Sequence, residues 1–356
     1  MRIIHHNVSS ILLAILLLLS THSFAKKSEE VKSKVISKNY TVKADHLLEV
    51  DNKFGEVKIT TWDKNEMQVK VTIEVKGMSE NRAQKSLDAI QVDISESTDE
   101  TSFTTKFGDK YEGKNVKYDN EFTVDYEIKM PKTNRLNLDH SFGAFVMNDL
   151  DGAASIKVSF GSANIGKLSS KSNELTFKFS SPIEIEHIEE GELTIKYSKL
   201  NLTSATQLKM ESEFSSSKVV AIGKLDLEIK FGSFDIQELI QTEIESKMSS
   251  INVGTLHEKG IFDTKYGSLT LDEVTNKITL LDIDGEFSPI KVKIAEGASF
   301  AADLSTNMAN LKVPSDKSWK EKVKEHNSES YKGSFGKNTE NIVKIDSNFG
   351  SVKIDF

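Results

Sequence analysis

The hydrophobic and polar positions of this chain of 356 residues follow a repeat of about 18 residues. An aromatic residue or a methionine, followed directly by Gly or Ser, marks each repeat. One such unit cannot bury its own apolar face, but stacked units can, so the repeat predicts an elongated array. The marker positions are Phe142, Phe160, Phe179, Tyr197, Phe214, Phe231, Met248, Tyr266 and Phe287.

Apolar residues alternate with polar ones on both sides of each marker position. In the repeat around Phe231, Leu227 and Ile229 precede the marker, and Phe234 and Ile236 follow it. A period of two residues is typical of strands, so we predict two short strands per repeat. The Gly or Ser after the marker would let the chain bend without a side chain in the corner. We expect the aromatic markers to stack as a ladder inside the protein.

Two all-β architectures fit this pattern. In a β-solenoid with 17–18 residues per coil, equivalent strands of successive repeats stack in parallel. In an antiparallel meander that closes into a barrel, each repeat would supply two neighbouring strands. Because the marker, the small residue and the flanking pattern recur in one register, the sequence favours the solenoid.

The two ends of the chain depart from the repeat. Residues 1–25 resemble a secretory signal peptide, with Arg2, the apolar run Ile11–Leu19 and small residues at Ser23 and Ala25. The run of nine residues covers only about 14 Å as a helix, too short to cross a bilayer. We therefore predict export and no membrane span after cleavage. The remaining divisions are a flexible leader 26–35, a β-rich N-terminal cap 36–135 with one short helix after Ser79, repeats 136–313, a polar loop 314–341, and C-terminal strands 342–356.

The combination of these features resembles a known family. A signal peptide precedes a first motif from Val50 to Trp62 that contains Phe54-Gly55, and a short helix and repeated Phe-Gly units follow. This arrangement is similar to exported bacterial proteins described as "putative adhesins" with β-strand repeats. The resemblance implies a right-handed parallel β-helix, as in related adhesin head domains, and a place in the periplasm or on the cell surface. It supplies no site residues.

The composition of the chain excludes several classes of function. The formal net charge of −8 argues against a nucleic-acid partner, because phosphate binding needs a basic surface. The absence of cysteine excludes disulfides, thiolate metal sites and a thiol nucleophile. No cofactor is predicted.

The outward positions of the predicted strands form charged rows. Three residues before the marker, two repeats carry a threonine and the repeats from Phe214 to Phe287 carry an acid, and one residue before it they carry mostly lysine. Two interpretations of the acidic row are open. It is either a solvated face that prevents association with other chains, or a surface that binds a divalent cation or a glycan. The acidic residues are Glu211, Glu228, Glu245, Asp263 and Asp284.

Catalytic motifs are missing from the sequence. His46, His140, His187, His257 and His326 show no metal-ligand spacing, and we interpret each as a surface or turn residue. The rival function is a carbohydrate-active β-helix enzyme, either a polysaccharide lyase or a hydrolase. Lyases of this shape use a basic catalytic group, but the repeats between Phe142 and Phe287 contain no arginine. We therefore predict a non-enzymatic scaffold that contacts a glycan, an envelope component or a surface protein.

Overall fold

The structure, a computed structural model, describes residues 30–77, 79–108, 121–337 and 339–356. These residues form one continuous, mostly parallel sheet and a single helix, so the predicted all-β class is confirmed. The predicted signal peptide 1–25 lies outside the described residues. Residues 30–35 of the predicted flexible leader instead belong to a strand, Glu30–Thr41, that pairs antiparallel with the strand Glu66–Gly77.

The elements follow one another along the chain in a regular order. The N-terminal elements are β1 Glu30–Thr41, β2 Leu47–Lys53, β3 Val57–Trp62, β4 Glu66–Gly77, α1 Glu80–Asp88, β5 Ile90–Glu96, β6 Glu100–Phe107 and β7 Glu121–Pro131. The repeats contain β8 Arg135–Ser141, β9 Ala144–Met147, β10 Ala154–Ser159, β11 Ser162–Leu168, β12 Asn173–Lys178, β13 Ile183–Lys196, β14 Lys199–Glu213, β15 Ser216–Lys230, β16 Ser233–Lys247, β17 Ser250–Lys265, β18 Ser268–Val274, β19 Leu280–Glu286 and β20 Pro289–Ile294. The C-terminal elements are β21 Phe300–Asn307, β22 Asn310–Lys312, β23 Glu321–Lys324, β24 Ser328–Phe335, β25 Ile342–Asn348 and β26 Ser351–Asp355.

Equivalent positions of successive repeats lie side by side. Leu227, for example, pairs with Met210 of the preceding repeat and with Ile244 of the next, both in parallel. The segment before each marker therefore forms one parallel ladder, here called the leading ladder. The segment after each marker forms a second, the trailing ladder, in which Ile236 pairs with Val219 and Val253.

Alternating apolar side chains from both ladders build the core. Leu227 and Ile229 of the leading ladder and Phe234 and Ile236 of the trailing ladder are all buried. The predicted inward positions around the markers are thus confirmed. Each fully buried aliphatic or aromatic side chain contributes roughly 1.5–3 kcal/mol, and the repeat supplies several of them at every step.

The prediction that the aromatic markers lie inside is wrong. All nine adopt a left-handed backbone conformation, with φ between 48° and 61°, and their side chains are exposed. A left-handed residue reverses the side-chain direction within the alternation, so the marker points outward and the following Gly or Ser points inward. This explains why apolar residues lie at even offsets before the marker and at odd offsets after it, as Ile229, two residues before Phe231, and Phe234, three residues after it, illustrate.

Small residues follow the markers because the corner of one repeat lies close to the next. A Cβ atom built on Gly161 would lie 2.0 Å from the carbonyl oxygen of Gly143. At other corners a serine fits and is used: the Ser198 Oγ donates to the Lys196 carbonyl at 2.7 Å and accepts the Ser180 N–H at 3.1 Å. The residue after the marker is therefore small because it points inward against the neighbouring repeat. The left-handed conformation is adopted by the marker itself.

We expect the change Gly161→Ala to lower the free energy of unfolding by about 1–3 kcal/mol, because the new methyl group must displace a neighbouring backbone. Chemical denaturation followed by circular dichroism measures the change. Gly108→Ala is the matched control, since a Cβ there meets its nearest neighbour at 3.6 Å. Equal stability of the two variants would contradict the tight corner.

The N-terminal end closes the two ladders with antiparallel strands. Strands β2 and β3, which lie within the predicted cap on either side of Phe54, pair in parallel with β8 and β9. Beyond them, β7 continues the trailing ladder and β6 the leading ladder. Antiparallel neighbours β4 and β5 then follow, and α1 contacts β1 and β4. The predicted short helix is thus present.

The C-terminal end has a crossed order of strands. Strand β25 lies between β19 and β21, and β26 lies between β20 and β22, all in parallel. The last segment of the chain is therefore inserted one step before the end of the stack. The predicted polar loop 314–341 is wrong in part, because it contains β23 and β24. The mostly polar sequence does not indicate these strands, because their apolar contacts come from a few aromatic residues. Trp319 contacts Tyr331, Phe335 and Phe356, and Phe335 also contacts Phe356.

Candidate functional site

The exposed aromatic markers form a continuous strip along one corner of the stack, here called the aromatic strip. Each member is roughly half exposed, with relative exposures of 42–53%. Large apolar side chains exposed in a contiguous row are unusual on a monomer and indicate an interaction surface. In stacking order the strip consists of Phe142, Phe160, Phe179, Tyr197, Phe214, Phe231, Met248, Tyr266, Phe287, Phe349 and Met308.

Neighbouring rings of the strip stack face to face, with nearly parallel planes. The centroids of Phe160 and Phe179 are 4.9 Å apart with an interplanar angle of 1°, and those of Phe214 and Phe231 are 4.8 Å apart at 3°. Each ring covers the face of its neighbour, so that the ring edges face the solvent. A sugar that binds an aromatic side chain by stacking needs a free ring face, and the interior of this strip does not provide one.

The N-terminal end of the strip is closed by further aromatic residues. Phe54 stacks on Phe142 at 5.0 Å, and Phe107 and Phe122 meet the Phe54 ring edge-on at 5.8 and 5.1 Å. Edge-to-face pairs of this kind are favourable beyond the area they bury. The strip therefore begins at a packed cluster rather than at a frayed edge.

The predicted acidic row is contiguous in the structure. Glu228 pairs in register with Glu211 and Glu245, and Asp263 pairs with Glu245 and Asp284. The structure extends the row by one residue that the sequence reasoning missed, because Asp346 of the inserted strand β25 pairs with Asp284. Only the strand order places Asp346 there.

Lysines beside the acidic row compensate much of its charge. Lys230 forms an ion pair with Glu228, and Lys265 forms one with Asp263 at 3.2 Å. The Lys196 Nζ lies 2.8 Å from the Glu213 Oε2, one repeat away. Exposed pairs of this kind are worth little individually, so the lysines mainly reduce repulsion along the row.

The C-terminal end of the row shows opposite pKa shifts in neighbouring carboxyl groups. Burial, together with the charges of Asp263 and Asp346, raises the pKa of Asp284. Burial also acts to raise the pKa of Asp346, but hydrogen bonds from Lys344 and Ser305 outweigh it, and the pKa lies below its usual value. Among the described residues no group of three or more His, Asp or Glu side chains is arranged to hold a metal ion. Cation binding by the row stays a prediction.

Two histidines have buried side chains. For His140, which lies in β8, this corrects the interpretation as a surface or turn residue, whereas His46 does close a turn, since its N–H donates to the Lys43 carbonyl. His46 donates or accepts a hydrogen bond with Thr101 Oγ1 at 2.9 Å and is 2% exposed. His140 is fully buried, and its Nδ1 lies 3.3 Å from the Asn52 carbonyl oxygen. It occupies the inward position two residues before Phe142, where the next repeat has Val158, so the repeat pattern itself contained this signal.

Burial lowers the pKa of His140 below its usual value. The unfolded chain, with a histidine pKa near 6.5, therefore binds more protons than the folded chain at slightly acidic pH. The contribution of neutral His140 to stability is present above about pH 6.5 and is lost as the pH falls towards the lowered folded pKa.

We expect the change His140→Val to remove this dependence of stability on pH. As the pH falls from 7 to 5, the free energy of unfolding of the variant should therefore rise relative to that of the wild type. Urea denaturation at several pH values measures the difference. The control His326→Val changes an exposed histidine and should follow the wild-type curve. A constant difference between wild type and His140→Val across this range would contradict the assignment.

Open depressions on the described surface carry no recognisable catalytic constellation. One, of about 650 Å³, lies near the N-terminal repeats and is bordered by Arg135, Lys157 and Glu192. The Arg135 Nε donates to the Asp45 carbonyl at 2.9 Å, so this guanidinium helps to position a turn. A shallow groove of about 570 Å³ runs beside the aromatic strip, lined by Tyr197, Phe214 and Phe231 together with small polar residues of the trailing ladder.

Comparisons with known proteins give likenesses of structure only. No family model and no curated protein matches the chain. Among solved structures, a "putative cell adhesion protein" from Clostridium sporogenes is 10% identical, with a TM-score of 0.21 over 92% of this chain and 99% of its own. A "putative adhesin" from Bacteroides fragilis is 14% identical, with a TM-score of 0.35 over 64% and 97% of the two chains.

A third solved structure, a "putative adhesin" from Parabacteroides merdae, is 10% identical, with a TM-score of 0.35 over 90% of this chain and 96% of its own. The names of these proteins agree with the resemblance that the repeats indicate. All three TM-scores lie below 0.5. In the described part of the chain, no helix has the length and apolar character needed to cross a membrane.

Proposed function

We propose that this chain is an exported, non-enzymatic β-solenoid, right-handed as the resemblance implies, that serves as an adhesin-like scaffold for a glycan, an envelope component or a protein. The observation that carries the proposal is the presentation of identical outward positions in straight rows. Glu211, Glu228 and Glu245 repeat at one strand spacing, as do the rings of the aromatic strip. Such an array suits an extended partner better than a small substrate.

The distribution of charge supports binding rather than catalysis. A hydrolase needs two carboxyl groups whose surroundings differ, so that one is protonated while the other is ionised. At the C-terminal end of the row the neighbours Asp284 and Asp346 have opposite pKa shifts, but Lys344 and Ser305 already hold Asp346 by hydrogen bonds. In the middle of the row successive repeats present the same carboxylate, and lysines such as Lys230 pair with it. The repetition fits a binding face, where many weak contacts of the same kind add together.

A retention assay tests the proposed function. Purified protein is passed over immobilised envelope fractions: peptidoglycan, surface polysaccharide and membrane proteins. We expect retention on one fraction, and a loss of at least tenfold in affinity for the variant with Glu211→Gln, Glu228→Gln and Glu245→Gln if the acidic row contacts that fraction. The control Glu186→Gln changes an acid of the trailing ladder. Retention on no fraction, or turnover of a polysaccharide, would contradict the proposal.

Cation binding by the acidic row is a separate part of the proposal. Millimolar calcium would raise the melting temperature, and a chelator would reverse the rise, if Asp263, Asp284 and their neighbours hold the ion. An unchanged melting temperature would contradict cation binding alone and would not affect the proposed scaffold function. Export is tested by cell fractionation and by the N-terminal sequence of the mature protein, which we expect to start at Lys26.

A further inference from the structure

The aromatic strip has the extent of a protein–protein interface. Eleven apolar side chains line it, each about half exposed. Since large apolar side chains can each bury roughly 150–250 Å², the strip offers on the order of 1,000 Å² per molecule. A standard interface buries about 800 Å² per partner, so the strip alone provides the area that a stable pair requires.

The periodicity of the strip restricts what can cover it. The rings recur every 4.8–5.0 Å from Phe142 to Phe231, and again from Tyr266 through Phe287 to Phe349. Met248 lies between these two series and Met308 ends the strip, so the apolar character continues over about ten steps. A partner must therefore be straight, apolar along its contact line and equally long. Another molecule of this chain meets all three conditions, because its own strip has the same spacing and length.

The rows beside the strip decide how two molecules can be arranged. On the leading side the strip is flanked by a row that is mostly lysine, such as Lys230 and Lys265, and on the trailing side by mostly neutral residues such as Ser216, with Lys199 as the exception. If the two strips ran antiparallel about a twofold axis, the lysine-bearing rows would face each other. If they run parallel, each lysine-bearing row faces the mostly neutral row.

The groove beside the strip favours the same arrangement. It lies on the trailing side of Tyr197, Phe214 and Phe231, and its lining is mostly serine, with Lys199 as the one charged residue. In a parallel pair, each strip can lie in the groove of the other molecule, and both contacts are made reciprocally by one twofold axis. An antiparallel pair would instead place strip directly on strip.

We propose that two copies of this chain associate through their aromatic strips, in parallel and about a twofold axis along the strip. The inference goes beyond the proposed function, because the pairing uses the corner of the stack and leaves the face with the acidic row of each molecule open for a partner. A dimer would present two such faces, and binding to a repetitive surface would gain from this bivalency.

Sedimentation and light scattering of the purified protein test the pairing. We expect the wild type to be dimeric at micromolar concentration. The variant with Tyr197→Asn, Phe214→Asn and Phe231→Asn should be monomeric with an unchanged circular dichroism spectrum, since asparagine tolerates the left-handed conformation. The matched control, Val220→Asn with Ile240→Asn, removes two exposed apolar residues outside the strip and should remain dimeric.

Cross-linking provides a second test that does not depend on the triple variant. Since the chain contains no cysteine, Phe160→Cys introduces a unique thiol near one end of the strip. A short bismaleimide should join two molecules through it in a parallel pair, whereas the two thiols would be far apart in an antiparallel pair. A wild type that is monomeric at about 100 μM, a dimeric triple variant, or absence of the Phe160→Cys cross-link would overturn the proposal.

Discussion

Deletion of residues 342–356 is expected to unfold the C-terminal end of the stack. These residues form β25 and β26, which lie between the last regular repeat and strands β21 and β22. Their inward residues Val343, Ile345, Val352 and Ile354 are buried, at roughly 1.5–3 kcal/mol each, so about 6–12 kcal/mol of gross burial is lost.

The loss should remain local at first. In a stack of repeats, stability is close to a sum of neighbour contacts, so the central strands β13 to β16 should keep their structure. Limited proteolysis with mass spectrometry measures the effect, and we expect early cleavage between residues 295 and 341. The control Lys344→Ala with Lys353→Ala alters only outward side chains of the same strands. A deletion variant as resistant as the wild type would show that the inserted strands do not hold this end together.

The change Ile229→Asp is expected to cost at least about 4 kcal/mol. Ile229 is 1% exposed and lies in the leading ladder between Ser212 and Ser246, which also point inward. Truncation of a buried isoleucine costs about 2–5 kcal/mol, and a buried carboxyl group adds a desolvation penalty. The loss should appear as a large drop in the midpoint of chemical denaturation.

Val220→Asp is the matched control for this change. Val220 lies in the same strand, β15, but is 43% exposed, so the same introduced residue should cost less than about 1 kcal/mol. Comparable losses at the two positions would refute the assignment of inward and outward residues.

Much of the core could be predicted because alternation encodes it directly. The positions of Leu227, Ile229, Phe234 and Ile236 follow from a period of two residues on either side of the marker. The same alternation, continued through Phe231, leads to the wrong side for the ring. Strand periodicity assumes an extended backbone at every residue, and a single left-handed residue breaks that assumption.

The sequence did contain evidence of this reversal. Apolar positions change from even to odd offsets at the marker, which a continuous extended strand cannot produce. An aromatic residue with positive φ is unfavourable by itself, at a cost of roughly 1–2 kcal/mol, so no local preference points to it. Stacking on the rings of the two neighbouring repeats offsets this cost, and it exists only after the repeats are assembled.

The crossed strand order at the C-terminus could not be predicted. Residues 342–356 carry the same pattern as every other repeat, so they fit equally well between any two neighbours. Phe300, Phe335 and Phe356 contact one another at this end only after the strands are assembled. The extension of the acidic row to Asp346 depends on the same order and was missed for the same reason.

Distances along one outward row test the central claim most directly, namely that successive repeats stack in parallel at one strand spacing. Because the chain has no cysteine, nitroxide labels can be placed at pairs of introduced cysteines. The pairs Thr194 with Asp263, Thr176 with Asp263 and Lys157 with Asp263 are separated by four, five and six steps of the leading ladder. Pulsed electron paramagnetic resonance should give distances near 19, 24 and 29 Å, which rise by about 4.8 Å per repeat. Increments about twice as large, as in a meander with two neighbouring strands per repeat, or distances that do not grow with each step, would contradict the account.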